Sequence, residues 1–261
     1  MCYSVSQAME NRALITGASA GIGWELATVF AQNRFNLVLV ARNEMRLNKL
    51  AEELRAAHKI EVSVLPQDLS RPGAASEIFR RLDGTPVSLL VNNAGFGSYG
   101  PFAQSSLDSQ SEMMQVNIMS LVQLTHLFIQ PMLARHSGRV MNVASTAAFQ
   151  PGPLMNVYYA SKAFVYSFSY ALADELAGTG VTVTALCPGM TPTEFQERAH
   201  VHMGGLWPMT SPRAVAEAGY RGLMKGKRVV IPGVMNQVGA FFAKRSPGQL
   251  TNAIVRRIHQ P

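Results

Sequence analysis

Cysteine is almost missing from this chain: there are two in 261 residues, Cys2 and Cys187. That excludes a disulfide framework and points to a reducing compartment, the cytoplasm. Cys187 closes an apolar run, VTVTALC, and reads as a small buried residue. No apolar run approaches the roughly 18 residues that a membrane-crossing helix needs. The first residues, MCYSVSQAMENR, hold neither a basic nor an apolar segment, so no signal peptide is expected. Charged residues are sparse, at 15%, and no run of five like charges occurs. The net charge of +7 therefore does not read as a nucleic-acid patch, though it suits anionic ligands. His200 and His202 stand as HVH with no further ligands nearby, so no metal site is expected. Repeats, low-complexity stretches and internal linkers are absent, and residues 1–261 are expected to form one domain.

What is present is an alternation. Short apolar runs at 13–16, 36–41, 61–66, 87–91, 138–145, 181–187 and 228–231 are separated by stretches of helical length. Helices are expected at about 21–33, 71–82, 106–134 and 158–177, with another after the second strand. The strands are continuously apolar, the mark of burial on both faces of a parallel sheet. The pattern predicts a doubly wound α/β fold of about seven mostly parallel strands with helices on both faces. Residues 190–211, rich in Met, Gly, Pro and His, read as an excursion covering a site, and 234–261 as a C-terminal tail.

After the first strand comes TGASAGIG, with Gly17, Gly21 and Gly23 spaced G-x3-G-x-G. Glycines there let the backbone approach a pyrophosphate, and the following helix offers unpaired N–H groups and a positive dipole end. The second strand ends Ala41-Arg42, a cation where an acid would select NAD. This predicts NADP(H). Further along, YYASK puts both Tyr158 and Tyr159 within helical reach of Lys162, and local geometry does not choose between them.

TGASAGIG, NNAG (92–95), Asn117, Ser145, Tyr158-x-x-x-Lys162 and Pro188-Gly189 occur in that order. The chain resembles the short-chain dehydrogenase/reductase family from about residue 12 to 195, and within it the ketoacyl and hydroxysteroid reductases. The resemblance implies an NADP-dependent oxidoreductase interconverting a carbonyl and an alcohol. It makes Tyr158 the proton donor, since the family's spacing is Tyr-x-x-x-Lys. It makes Lys162 the ammonium that lowers the tyrosine's pKa and bonds the nicotinamide ribose. It makes Ser145 the group that bonds the substrate oxygen, and Asn117 the holder of a water linking Lys162 to solvent. Cofactor contacts carried over are Gly17, Ser19, Gly21, Ile22, Gly23, Arg42, Asp68, Leu69, Asn93, Ala94, Gly95, Pro188, Gly189 and one of Thr191 or Thr193. Ala20 departs from the many NADP-using relatives that carry Lys or Arg there. Homodimers or homotetramers built on the fourth and fifth helices are implied.

Tyr159 is expected at the site's edge or against a partner subunit. Met113, Met114 and Met119 are read as core or interface, and Trp24 as packing. The tail, apolar and basic together, could touch a membrane, but covering an apolar substrate mouth or a subunit contact is the favoured reading. The alternatives are an NAD-dependent alcohol dehydrogenase and a non-catalytic dinucleotide sensor.

Overall fold

The computed structural model describes residues 11–195 and 209–259. Cys2, the N-terminal segment in which no signal peptide is expected, His200, His202 and most of the 190–211 excursion lie outside the described residues. Seven strands form one sheet: β1 (Arg12–Thr16), β2 (Asn36–Ala41), β3 (Val62–Pro66), β4 (Leu89–Asn92), β5 (Gly138–Val143), β6 (Val181–Leu186) and β7 (Val229–Val230). Their order is β3-β2-β1-β4-β5-β6-β7, and every pairing is parallel. The strand order reverses between β1 and β4, so a crevice opens there at the carboxyl ends of the strands.

The continuous apolar strands follow from two cores. Ala13, Ile15, Leu37, Leu39 and Met141 face one side of the sheet. They pack there against α1 (Gly21–Gln32), α2 (Glu44–His58) and α6 (Pro212–Met224). Leu14, Val38, Val40, Leu90 and Val140 face the other. Their partners are α3 (Ala74–Arg81), α4 (Leu107–Ala134) and α5 (Asn156–Glu175). Successive strand residues alternate between two buried faces, so most of them are apolar.

Helix α4 is, among the described residues, the one helix long and apolar enough to cross a membrane. Here Leu124, Phe128 and Met132 are buried against the sheet, which explains the composition without a bilayer. It contains a π-helical turn at Gln115–Ser120. Helix α5 starts at Asn156, two residues earlier than the sequence pattern predicts. The tail is folded as α7 (Val234–Ala243) and α8 (Gly248–His259).

One polar chain crosses the interior. Asn92 Nδ2 donates to Thr125 Oγ1 and to Asn142 Oδ1, both at 2.9 Å. Asn142 Nδ2 donates to Ser169 Oγ at 2.9 Å, and Ser169 Oγ to the Val165 carbonyl at 2.6 Å. These bonds tie β4, β5, α4 and α5 together below the crevice. Asn142→Ala takes one partner each from the Asn92 amide and the Ser169 hydroxyl in a buried site. It is expected to cost about 1–3 kcal/mol, read as a lower urea midpoint at unchanged slope. An unchanged midpoint would show that the chain adds nothing to stability.

Candidate active site

The turn after β1 is held by side chains from β4. Thr16 Oγ1 accepts from the Asn93 and Ala94 backbone N–H groups, each at 3.0 Å, and donates to the Val91 carbonyl. Asn93 Nδ2 donates to the Thr16 and Gly17 carbonyls at 3.0 and 3.2 Å. Gly17 adopts φ +66°, and a Cβ on Gly23 would lie 2.1 Å from the Gly17 carbonyl oxygen. A side chain at either position would push the turn away from the helix. The start of α1 has no side-chain cap, so its first N–H groups face the crevice, as anion binding at a helix N-terminus requires. The cradle fits a dinucleotide pyrophosphate.

A cavity of about 850 Å³ runs from this turn across the carboxyl edge of the sheet. All the residues expected at the site except Gly23 and Asn117 line it. Those two stand just behind: Gly23 packs on the turn, and Asn117 packs by Gly95. The adenosine end carries Arg42, which meets Glu112 at 3.5 Å. Asp68 lies beside it. Burial raises the Asp68 carboxyl, but bonds from the Ser70 N–H and hydroxyl, helped by Arg42 and Arg71, outweigh that and hold it below the ordinary value. Thr191 Oγ1 donates to the Gly189 carbonyl, while the Thr193 methyl abuts Gly21 in the phosphate turn. The two threonines therefore face different neighbours.

Ser145 follows β5 in extended backbone, and its Oγ accepts from the Ala147 N–H at 3.1 Å. It also hydrogen-bonds the Tyr158 hydroxyl. Burial pushes the Tyr158 phenol up to about 12, and the Ser145 bond pulls the other way. Burial pulls the Lys162 ammonium down to about 8, against a smaller opposing pull from Cys187. Lys162 Nζ donates to the Val143 carbonyl at 2.8 Å and lies 5.8 Å from the Tyr158 ring centre. Burial outweighs the Ser145 bond, so the phenol stands above its ordinary value. The helical spacing brings the lysine to the right face, but its ammonium is turned to β5. Cys187 is buried, and burial raises its thiol to about 12, so it stays protonated.

Asn117 sits on the π-helical turn of α4. Its Nδ2 donates to the Phe96 carbonyl and to Ser161 Oγ, at 3.0 and 3.1 Å, and its Oδ1 accepts from the Phe96 N–H. Both donors are used, one on the loop after β4 and one on α5, leaving one acceptor position on Oδ1 for the expected water. A Cβ on Gly95 would be 3.0 Å from that Oδ1 and 3.3 Å from Lys162 Nζ, so the three groups meet at one point.

Tyr159 packs its ring on Gly152, at the cavity's edge, within its own chain. Phe195 lies 5.1 Å from the Tyr158 ring, centre to centre, and against Gly97. Asn236, from α7, is buried against Gly189 and bonds the Pro232 carbonyl at 2.7 Å. Asn236 carries no signal in the sequence, since it reaches the site through a fold-back that local spacing does not encode; Phe195 follows Thr193 by two residues, but that spacing does not say which ring it meets. Thr16 had one, its place at the head of TGASAGIG. Met113 is fully buried and Trp24 packs on the core, as expected, whereas Met114 and Met119 are exposed and so not core.

The short chain dehydrogenase family model matches residues 11–203. The 17-beta-hydroxysteroid dehydrogenase type 3 of Mus musculus is 36% identical over 188 residues, 71% of this chain and 61% of the mouse protein. The match therefore spans less than two thirds of that relative. Ketoacyl reductase HetN of Nostoc is 29% identical over 252 residues, 95% of this chain and 87% of HetN. Among solved structures, a short-chain dehydrogenase from Sphingobium yanoikuyae in complex with NADPH has a TM-score of 0.82 at 32% identity, over 90% of this chain and 93% of that one. Another from Burkholderia phymatum, in complex with NAD, has a TM-score of 0.79 at 26% identity, over 88% and 92%. The matched region takes in the phosphate turn and the Ser145–Tyr158–Lys162 set, and the sheet agrees along almost its whole length: the chain belongs to the short-chain dehydrogenase family of oxidoreductases.

Proposed function

We propose that the protein uses NADPH to reduce the carbonyl of an apolar ketone, aldehyde or 3-oxoacyl compound to an alcohol, or runs the reverse. The observation that carries this reading is the convergence of Ser145, Tyr158 and Lys162 in one cavity, between the phosphate turn and an apolar wall. Phe96, Met155, Tyr159, Phe195, Met235 and Val238 make that wall. It suits an apolar body better than a sugar.

Gly17, Ser19, Gly21 and Ile22 would hold the pyrophosphate, with Gly23 keeping the helix close. Asp68, Leu69, Ala94 and Gly95 would line the adenosine and ribose, and Pro188, Gly189 and Thr191 the nicotinamide. Bound there, NADPH supplies the hydride. The protein supplies the proton: Tyr158 donates it to the substrate oxygen as that oxygen becomes a hydroxyl. A phenol at about 12 remains protonated throughout the working range, so it is always loaded. Ser145 bonds the same oxygen and stabilises its developing charge. Lys162 restores the phenol from solvent by way of the Asn117 neighbourhood.

Arg42 would bond the 2′-phosphate. Its pairing with Glu112 supports a second reading, an NAD-dependent dehydrogenase, because part of its charge is already answered. Exposed Met114, Met119, Phe164 and Tyr170 on α4 and α5 support a homodimer or homotetramer. The whole chain would act as one domain.

Three outcomes follow. Tyr158→Phe is expected to lower turnover about 10²–10⁴-fold against a panel of apolar ketones, while Trp fluorescence titration shows unchanged NADPH binding; full turnover would sink the reading. Arg42→Ala is expected to weaken NADPH binding about ten- to a hundredfold, the loss of a charge-assisted bond, with NADH affinity unchanged. An equal effect on both would move the assignment to NAD. A lysine held below its ordinary value loses its proton as pH rises through about 8. kcat/KM for NADPH, which reports the free enzyme, should therefore be level below pH about 8 and fall above it. A flat profile through the alkaline range would free Lys162 of the role.

A further inference from the structure

Helix α7 buries one side and exposes another. Asn236 and Ala240 are buried. Val234, Met235, Val238, Phe241 and Phe242 are 74%, 52%, 42%, 51% and 61% exposed. Their spacing puts them on a single stripe opposite the buried side. Ile254 of α8, half exposed, joins the rim. Met235, Val238, Phe242 and Ile254 also line the cavity, so the stripe borders its mouth, while Val234 and Phe241 stand outside it. A soluble surface rarely leaves two adjacent phenylalanines and three aliphatic side chains together in water.

The part of the chain that carries this stripe is basic and holds no acid. Of the 23 Lys and Arg residues, eight follow Glu217, and no Asp or Glu does. The 217 residues up to that point hold fifteen basic against sixteen acidic groups. The net charge of +7 is thus +8 after Glu217 against −1 up to it, and the tail itself, 234–261, carries four of those basic residues and no acid. Arg221 and Arg228 are answered by Glu217 and Asp174. Arg245, Arg256 and Arg257 have no ion-pair partner among the described residues, and all three are exposed at the ends of α7 and α8. The Arg245 guanidinium lies over the Phe241 ring, 3.8 Å from its centre, so cation and apolar stripe adjoin.

We propose that α7, with the basic ends of α7 and α8, docks the protein on an anionic lipid surface, with the cavity mouth toward the headgroups. Phenylalanines and aliphatic side chains enter the interface, and unpaired arginines meet the lipid phosphates. A second copy of the chain is the poorer occupant, because two such faces would press like-charged tails together. The docking does not depend on the reaction proposed above.

The test is co-sedimentation of the full chain with vesicles of phosphatidylcholine alone and of phosphatidylcholine with phosphatidylglycerol. The protein should pellet with the anionic vesicles only, and raised salt should release it. Arg245→Gln with Arg256→Gln and Arg257→Gln should lower the partition about a hundredfold, taking roughly fivefold for each charge. Val234→Ser with Phe241→Ser, which leaves the cavity lining intact, should lower it about tenfold or more at an unchanged melting temperature. Protein left in the supernatant with anionic vesicles would overturn the proposal, as would equal pelleting with neutral ones or wild-type pelleting by both variants. So would a dimer in sedimentation velocity that the Val234→Ser/Phe241→Ser variant abolishes, since the stripe would then belong to a second copy. Should either variant fail to fold, the lipid and salt dependence of the unaltered chain still decides.

Discussion

The site rests on the closeness of two strand ends. β1 and β4 are neighbours at the point where the strand order reverses, and Thr16 and Asn93 lock them with a ring of short bonds. That ring holds Gly17 against Gly23, which sets where α1 begins and where its N–H groups face. It also sets the course of the chain after β4, and so the place of Gly95 and Phe96. Asn117 then grips Phe96, and Lys162 arrives beside Gly95. Each later position is referenced to the first pair of strands.

The electrostatics of the reacting set are those of a dry pocket. Without neighbours, burial alone would keep the phenol protonated and strip the lysine of its charge. Ser145 draws on the phenol, and the Val143 carbonyl gives the ammonium a partner of its own. Tyr158 and Lys162 are therefore tuned by different groups. Spacing on a helix reports that two side chains share a face; it does not report which oxygen each one turns to.

Much of this was legible in the sequence, for particular reasons. β2 can be read to the residue because both of its faces are dry, so its apolar run has the strand's own limits. The phosphate turn is legible because only glycine fits at Gly17 and Gly23. Arg42 is legible because it stands at the end of a strand. What could not be read is what depends on chain returning from far away. Asn236 against Gly189 is of this kind. The tail's helices were hidden for the same reason: α8 shows a buried side only once Thr251 and Val255 are folded back onto the body. The concentration of basic charge after Glu217 is in the sequence, but averaging over the whole chain conceals it.

The all-parallel sheet has a consequence for how the protein comes into being. No two neighbouring strands are joined by a tight hairpin; every pairing waits for a crossover to close. The crevice is assembled from strand ends as distant along the chain as Thr16, Asn93, Ser145 and Pro188. Such long-range closure is slow, and it comes at a cost in loop entropy that only the completed sheet offsets. During synthesis the phosphate turn emerges first, yet it has nothing to lean on until Asn93 has left the ribosome. Ligand affinity is thus a property of the nearly finished chain, and a nascent fragment cannot be captured early by the molecule it will later bind.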